Sequence, residues 1–146
     1  MNYIEIIGGK KSQQDKVRTM VEFCIKKLMP RMQTLNIEVK LTRIKDDAEG
    51  YCLRESDRDF EIEVDSRLPL RKMLETVAHE MVHVKQYARR ELNTKVDCWM
   101  GKTYNPKKVS YWDLPWEIEA HGREIGLFIR YCETNKLGKQ KWTQIP

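Results

Sequence analysis

The pentad His79-Glu80-Met81-Val82-His83 constrains this chain more than any other stretch of it. Two histidines four residues apart project from one face of a helix, a turn from each other, close enough for both imidazoles to hold one ion. A glutamate beside the first of them can reach a water on that ion, take its proton and deliver it to a leaving amine. In a chain of this composition the pattern arises by chance with a probability on the order of half a per cent, so it is informative. The neighbouring residues show whether the histidines simply belong to a core. Leu70, Leu74, Val77, Met81, Val84 and Ala88 form an apolar stripe at helical spacing, with His79 and His83 opposite Val77 and with Thr76 and Gln86 on the histidine side. Such a helix packs its stripe on a sheet and turns its histidines toward a cleft.

A hydrolytic zinc site uses three protein groups and leaves its fourth position to water. The candidates for the third group gather in Trp116-Glu117-Ile118-Glu119-Ala120-His121, at the start of the last predicted helix. Glu117 is favoured as the ligand, with His121 left to hydrogen-bond an inner ligand or to steady the transition state. The converse, His121 as ligand and Glu117 as its partner, is the alternative, and Glu119 falls elsewhere on the helical wheel. Taken alone, Glu117 could also be a carboxylate that favours the positive end of its helix. The expected set is therefore His79, His83 and Glu117 around Zn2+, with Glu80 as general base. Another divalent ion could occupy a site of two histidines and one carboxylate.

The 146 residues, 40% hydrophobic and 34% charged, suit one folded domain spanning residues 1–146. Residues 1–7 read as a short strand broken by Gly8-Gly9. Val17, Met20, Val21, Cys24, Ile25 and Leu28 then mark a helix over 12–29, ended by Pro30. Segments 37–44, 50–54 and 60–64 read as an antiparallel meander, the last alternating strictly between apolar and acidic residues. Pro69 opens a helix to 91, and Pro115 opens another to 135. The intervening 93–114 is long for a loop and predicts a hairpin made from 98–104 and 109–112. The class is α+β: an N-terminal helix on a small antiparallel sheet, then the active-site helix and a ligand-bearing C-terminal helix.

No apolar run reaches the roughly 18 residues of a membrane span, and the start lacks a signal-type stretch, so a cytoplasmic protein with no membrane partner is expected. Cys24, Cys52, Cys98 and Cys132 form no C-x-x-C pair and read as reduced, mostly buried thiols. The net charge of +5 permits weak nucleic-acid association, but the basic residues are dispersed and their densest run, 136–141, reads as a solvated terminus. Trp99, Trp112 and Trp116 fill a small core or, alternatively, form an aromatic wall beside the cleft.

The two motifs together resemble those of known peptidases. H-E-x-x-H followed by Glu117-Ile118-Glu119-Ala120-His121 is similar to the gluzincins, in which the glutamate is the third ligand and the residue four positions on, usually aspartate, supports a histidine. Here that position holds His121. The segment His79-Glu80-Met81-Val82-His83-Val84-Lys85-Gln86-Tyr87 also resembles the SprT-like and Spartan proteases, which act on proteins attached to DNA. Their third ligand is a histidine in H-G-x-E-F, to which His121-Gly122-Arg123-Glu124-Ile125 is similar, although the gap between motifs is longer here and the zinc ribbon of many such proteins is missing. With Trp99-Met100-Gly101-Lys102 and Leu114-Pro115-Trp116-Glu117, the pattern over 60–130 resembles small SprT-like metallopeptidases encoded by bacteriophages, which would act in the host cytoplasm. The resemblance implies a minimal zincin-like domain that hydrolyses peptide or protein substrates. In such a layout an edge strand, with 60–64 as the candidate, pairs with an extended peptide, and His121, Tyr111 or Arg123 steadies the oxyanion. A DNA-associated module and a non-catalytic, zinc-stabilised interaction domain are the alternatives.

Overall fold

The structure, a computed structural model, describes residues 1–145. In chain order it comprises β1 (Tyr3–Ile7), α1 (Lys11–Leu28), β2 (Asn36–Thr42), β3 (Gly50–Arg54), β4 (Asp59–Asp65) and α2 (Leu70–Ala88), then the two-residue strands β5 (Leu92–Asn93), β6 (Cys98–Trp99) and β7 (Lys102–Thr103), and finally α3 (Pro115–Thr134). Single 3-10 turns at Tyr111–Asp113 and Lys141–Thr143 flank α3. The α+β class and the three long helices agree with the sequence reading. Among the described residues no helix is long and apolar enough to cross a membrane.

The sheet departs from expectation. Its order is β1-β2-β4-β3, with β1–β2 and β2–β4 parallel and only β3–β4 antiparallel, so the antiparallel meander is corrected. The crossover through α1 makes β1 and β2 parallel, as a helical connection between adjacent strands does. The chain then passes outward to β3 and returns through a short turn as β4, which inserts between β3 and β2. The physical reason is burial. Phe60, Ile62 and Val64 of β4 are almost wholly enclosed, whereas β3 offers Gly50, Tyr51, Cys52, Leu53 and Arg54, which tolerate an edge. Segment 60–64 is therefore an interior strand, and β3 is the free edge on its side of the sheet, with β1 at the other end.

One face of the sheet carries the core. Ile37, Val39 and Leu41 of β2 join Phe60, Ile62 and Val64 beneath α1 and α2, while Glu38, Lys40 and Glu61 on the other face form an ion-paired surface. Helix α2 lies across this core and is covered in turn by α3 through Ala120, Phe128, Tyr131 and Cys132. It is consequently buried nearly all round, not only along the apolar stripe. The expected pairing of 98–104 with 109–112 is corrected: 98–103 folds on itself as the β6–β7 hairpin, turning through Met100 and Gly101 at φ 50° and 86°, and Tyr111–Asp113 forms a 3-10 turn instead of a strand. Cys24 and Cys132 are buried, Cys52 and Cys98 half-buried, and all four are free thiols.

The turn from β1 into α1 depends on Gly8, whose φ of 82° lies in the left-handed region and whose missing Cβ would sit 2.3 Å from the Leu41 carbonyl oxygen. Gly8→Ala is expected to destabilise the fold by about 2 kcal/mol or more in denaturant unfolding. Gly138→Ala, where a Cβ meets open space, should leave the midpoint essentially unchanged.

Candidate metal centre

Helix α2 has no side-chain cap at Pro69 and owes its position to packing, which seats its polar residues at fixed heights in the cleft between β3 and α3. His79 and His83, each 8% exposed, lie one turn apart with ring centroids 5.0 Å from each other. Pro115 starts α3 and places Glu117 in its first turn, where the helix dipole favours a carboxylate. Glu117 Oε1 lies 3.1 Å from His79 Nε2, and Glu117 Oε2 lies 3.3 Å from His83 Nε2. These separations are short enough for the three groups to share one cation. All three can offer a ligand atom within 4.8 Å of the others.

The charge balance of the donor set also suits a cation. Three carboxylates, Glu80, Glu117 and Glu124, converge on His79 and His83 in a largely buried space, where unpaired negative charge is costly. Burial lowers the affinity of His79 for a proton, but Glu117 and Glu124 outweigh it and push its pKa up to about 10. His83 is raised for the same reason, against its burial, by Glu117 and Glu80. Glu117 is correspondingly held far below the usual carboxylate range by the two imidazoles, again in spite of burial. Protons on the histidines or a divalent metal can supply the missing charge, and buried His and Glu groups are suited to the second.

The outer nitrogens fix the inner ones. His83 Nδ1 is 2.8 Å from Gln86 Oε1, and the fully enclosed Gln86 amide donates to Trp116 O at 2.9 Å and to Glu119 Oε1 at 3.0 Å. With both amide protons given away, its carbonyl can only accept, so His83 carries its proton on Nδ1 and presents the Nε2 lone pair to the cleft. Glu119 is held in turn by Lys85 at 2.6 Å and Arg123 at 3.0 Å. His79 Nδ1 faces Glu124 Oε2 at 3.3 Å but has no well-aligned hydrogen-bond partner. Glu124 also approaches His121 Nδ1 at 3.0 Å, and Tyr111 Oη stands 3.0 Å from Glu117 Oε1 and 2.9 Å from His121 Nε2.

The structure thus brings His79, Glu80, His83 and Glu117 to one place and sets His121 beside them. His121 falls in a second possible trio with His79 and Glu124. That trio would use the same imidazole as the first, and a neutral imidazole has one lone pair, so the two sets cannot both hold an ion. Arg123 is engaged with Glu119 and lines a groove against Lys27 instead of the cleft. Trp116 is core, packed with Leu92 and Leu114, and Trp99 lies against it. Trp112 is 66% exposed and lies tilted against His121, ring centroids 4.8 Å apart, making one aromatic wall. Sequence reasoning missed the roles of Gln86, Glu119 and Glu124. Gln86 lies three residues from His83 and Glu124 seven from Glu117, spacings that share a helical face and were available as signals.

Glu80 occupies the middle of the cleft. It lines both a cavity of about 430 Å3 over His83, Tyr87 and Trp116 and one of about 660 Å3 that opens past Trp112 and His121. Burial raises its pKa, with His83 and His79 pulling the other way. Gly50, at the start of β3, comes so close that a Cβ there would lie 3.3 Å from Glu80 Oε1 and 2.8 Å from Thr76 Cγ2, so the sheet's free edge runs directly above this carboxylate. Comparisons of the chain with protein-family models, curated proteins and solved structures find no match in any of the three.

Gln86→Ala should weaken zinc affinity by about 10- to 100-fold in competition titrations with a chromophoric chelator, while His83→Ala should abolish binding of one ion per chain. The histidine pair also sets a pH dependence. A proton held at about 10 in the folded state, against the ordinary 6.5, stabilises the metal-free fold fully below pH 6.5 and progressively less as the pH rises toward 10. Thermal unfolding in the presence of chelator should show the midpoint falling across that interval, and saturating zinc should flatten the slope.

Proposed function

We propose that this protein is a zinc-dependent metallopeptidase of the SprT-like kind, which hydrolyses peptide bonds with Glu80 as general base beside a centre formed by His79, His83 and Glu117. One observation carries the reading: two Nε2 atoms and a carboxylate from a different helix meet at 3.1 Å and 3.3 Å, with a further carboxylate next to them on the same cleft. A zinc ion in that setting supplies Lewis acidity toward a carbonyl and brings the pKa of a water to about 7.

The chain's own residues do the rest. Glu80 is a carboxylate whose pKa burial raises, and it lines the cleft where it can accept a proton from attacking water and return it to the amine leaving the scissile bond. Gln86 holds the His83 tautomer, and Glu124 approaches the outer nitrogen of His79, the support that the gluzincin pattern places four residues after the glutamate and that here comes one turn later. The third protein group in this reading is Glu117, as in the gluzincins, although the surrounding motifs resemble the SprT-like proteins. His121 serves through Tyr111 and Glu124. Tyr111 is the donor best placed to steady an oxygen that gains charge, since its hydroxyl already stands between Glu117 and His121 at the cleft. The free edge of β3 offers its backbone to an extended peptide across this centre, which gives affinity without strong side-chain preference.

Glu80→Gln is the discriminating variant. Zinc stoichiometry should stay at that of the parent while cleavage of a casein or quenched-peptide substrate falls by at least about 100-fold. A variant that cleaves as fast as the parent would show that Glu80 is not the base. A parent that binds zinc and cleaves no peptide would point to a non-catalytic role for the centre.

A further inference from the structure

The cleft continues past the proposed centre. Tyr87 and Leu92 line both the cavity over His83 and a neighbouring one of about 300 Å3, whose charged walls are Arg54, Asp57, Arg90 and Lys95. Arg54 ends β3, so this second cavity lies at one end of the sheet's free edge. Three cations there face a single carboxylate. Asp57 is bonded to Arg54 and approached by Arg90 at 3.6 Å, while Lys95 makes no ion pair among the described residues. The opposite end of the cleft, beyond Glu80, has the reverse balance, with Asp47, Glu49 and Glu124 against Lys72. The groove is therefore electrically polar along β3.

The distance from the centre follows from strand geometry. Gly50 lies above Glu80 and Arg54 is four residues further along β3, about 14 Å at about 3.4 Å per residue. We propose that Arg54, Arg90 and Lys95 form a subsite for an acidic side chain of a peptide lying along β3, so that the protein selects peptides carrying Asp or Glu about three or four residues from the scissile bond. The position of that bond rests on the peptidase reading; the binding preference does not. Asp57 already shows that these cations receive a carboxylate in this place, and it leaves them in excess. Tyr87 and Leu92 supply an apolar wall for the stem of the incoming side chain. A nucleic acid would also be drawn to the cations, but its backbone would have to continue toward Asp47, Glu49 and Glu124, which repel it.

Glu80→Gln protein, used so that no probe is consumed by cleavage, permits a direct test by fluorescence anisotropy. The probes are short fluorescein-labelled peptides in which one Glu is moved stepwise, each paired with its Gln counterpart. At one register Glu should bind about fivefold tighter than Gln, with the advantage fading at high ionic strength. Adding Arg90→Gln should shrink the difference, and adding Arg90→Glu, which brings the charges of the subsite to balance, should abolish it. The Arg90 side chain is 83% exposed, so neither change threatens the fold. Equal affinity for Glu and Gln at every register overturns the proposal, as does Arg90-dependent displacement of the probe by a single-stranded oligonucleotide that binds more tightly than any peptide. Failure of the parent to cleave would count against the peptidase reading alone, and cleavage with no acidic preference would count against the subsite alone.

Discussion

Helix α2 is enclosed on nearly every side, and enclosure obliges each of its polar side chains to find a partner. A buried donor or acceptor left without one costs about 1–3 kcal/mol, a large part of the margin by which a domain of this size stays folded. The solutions are spread around the helix. Glu75 meets Arg71, the Thr76 hydroxyl donates to the Lys72 carbonyl, Lys85 lies between Glu91 and Glu119, and Gln86 spans from His83 to α3. His79, Glu80 and His83 are what remains, and they answer one another's charge only when Glu117 and Glu124 arrive from α3. The candidate centre is thus the unresolved part of an otherwise satisfied interface, and that is where a cation has most to contribute.

Helix α3 serves two faces of this arrangement at once. Ala120, Phe128, Tyr131 and Cys132 bind it to the core, so its axis is set by apolar contact. Glu117, Glu119 and Glu124 then reach three separate places: the inner face of the histidines, the Gln86 amide, and the outer nitrogen of His79. The inner and outer neighbours of His79 therefore come from one rigid element, and the Gln86 support of His83 is tied to it through Glu119 and Trp116 O.

Much of this was legible in the sequence. The helix periods of α1 and α2 and the prolines at positions 69 and 115 located the long helices to within about three residues, since hydrophobic period and Pro at a helix start are local signals. The histidine pair, Glu80 and Glu117 were legible for the same reason, being turns of single helices. Strand order was not, because the alternation in β4 reports which face is wet and says nothing about which strand lies alongside. Gln86 and Glu124 share helical faces with His83 and Glu117, but the bonds of Gln86 to α3 and the reach of Glu119 and Glu124 back to α2 depend on how the two helices cross, which no helical wheel of one element contains. Glu119, which a single wheel sets aside, holds Gln86 and through it His83.

The stretch between α2 and α3 carries Tyr111 and Trp112 to the rim of the cleft, yet it determines the position of neither helix, because α3 is seated by the core and begins at Pro115 with Trp116 O tied to Gln86. Its small three-stranded sheet contributes no group to the candidate trio, whereas its 3-10 turn reaches Glu117 and His121 through Tyr111. Segments of this kind can be lengthened, shortened or exchanged while the scaffold stays intact. That rim is open to change by loop grafting that keeps Tyr111, whereas comparable changes within α2 or α3 would unseat the candidate centre itself.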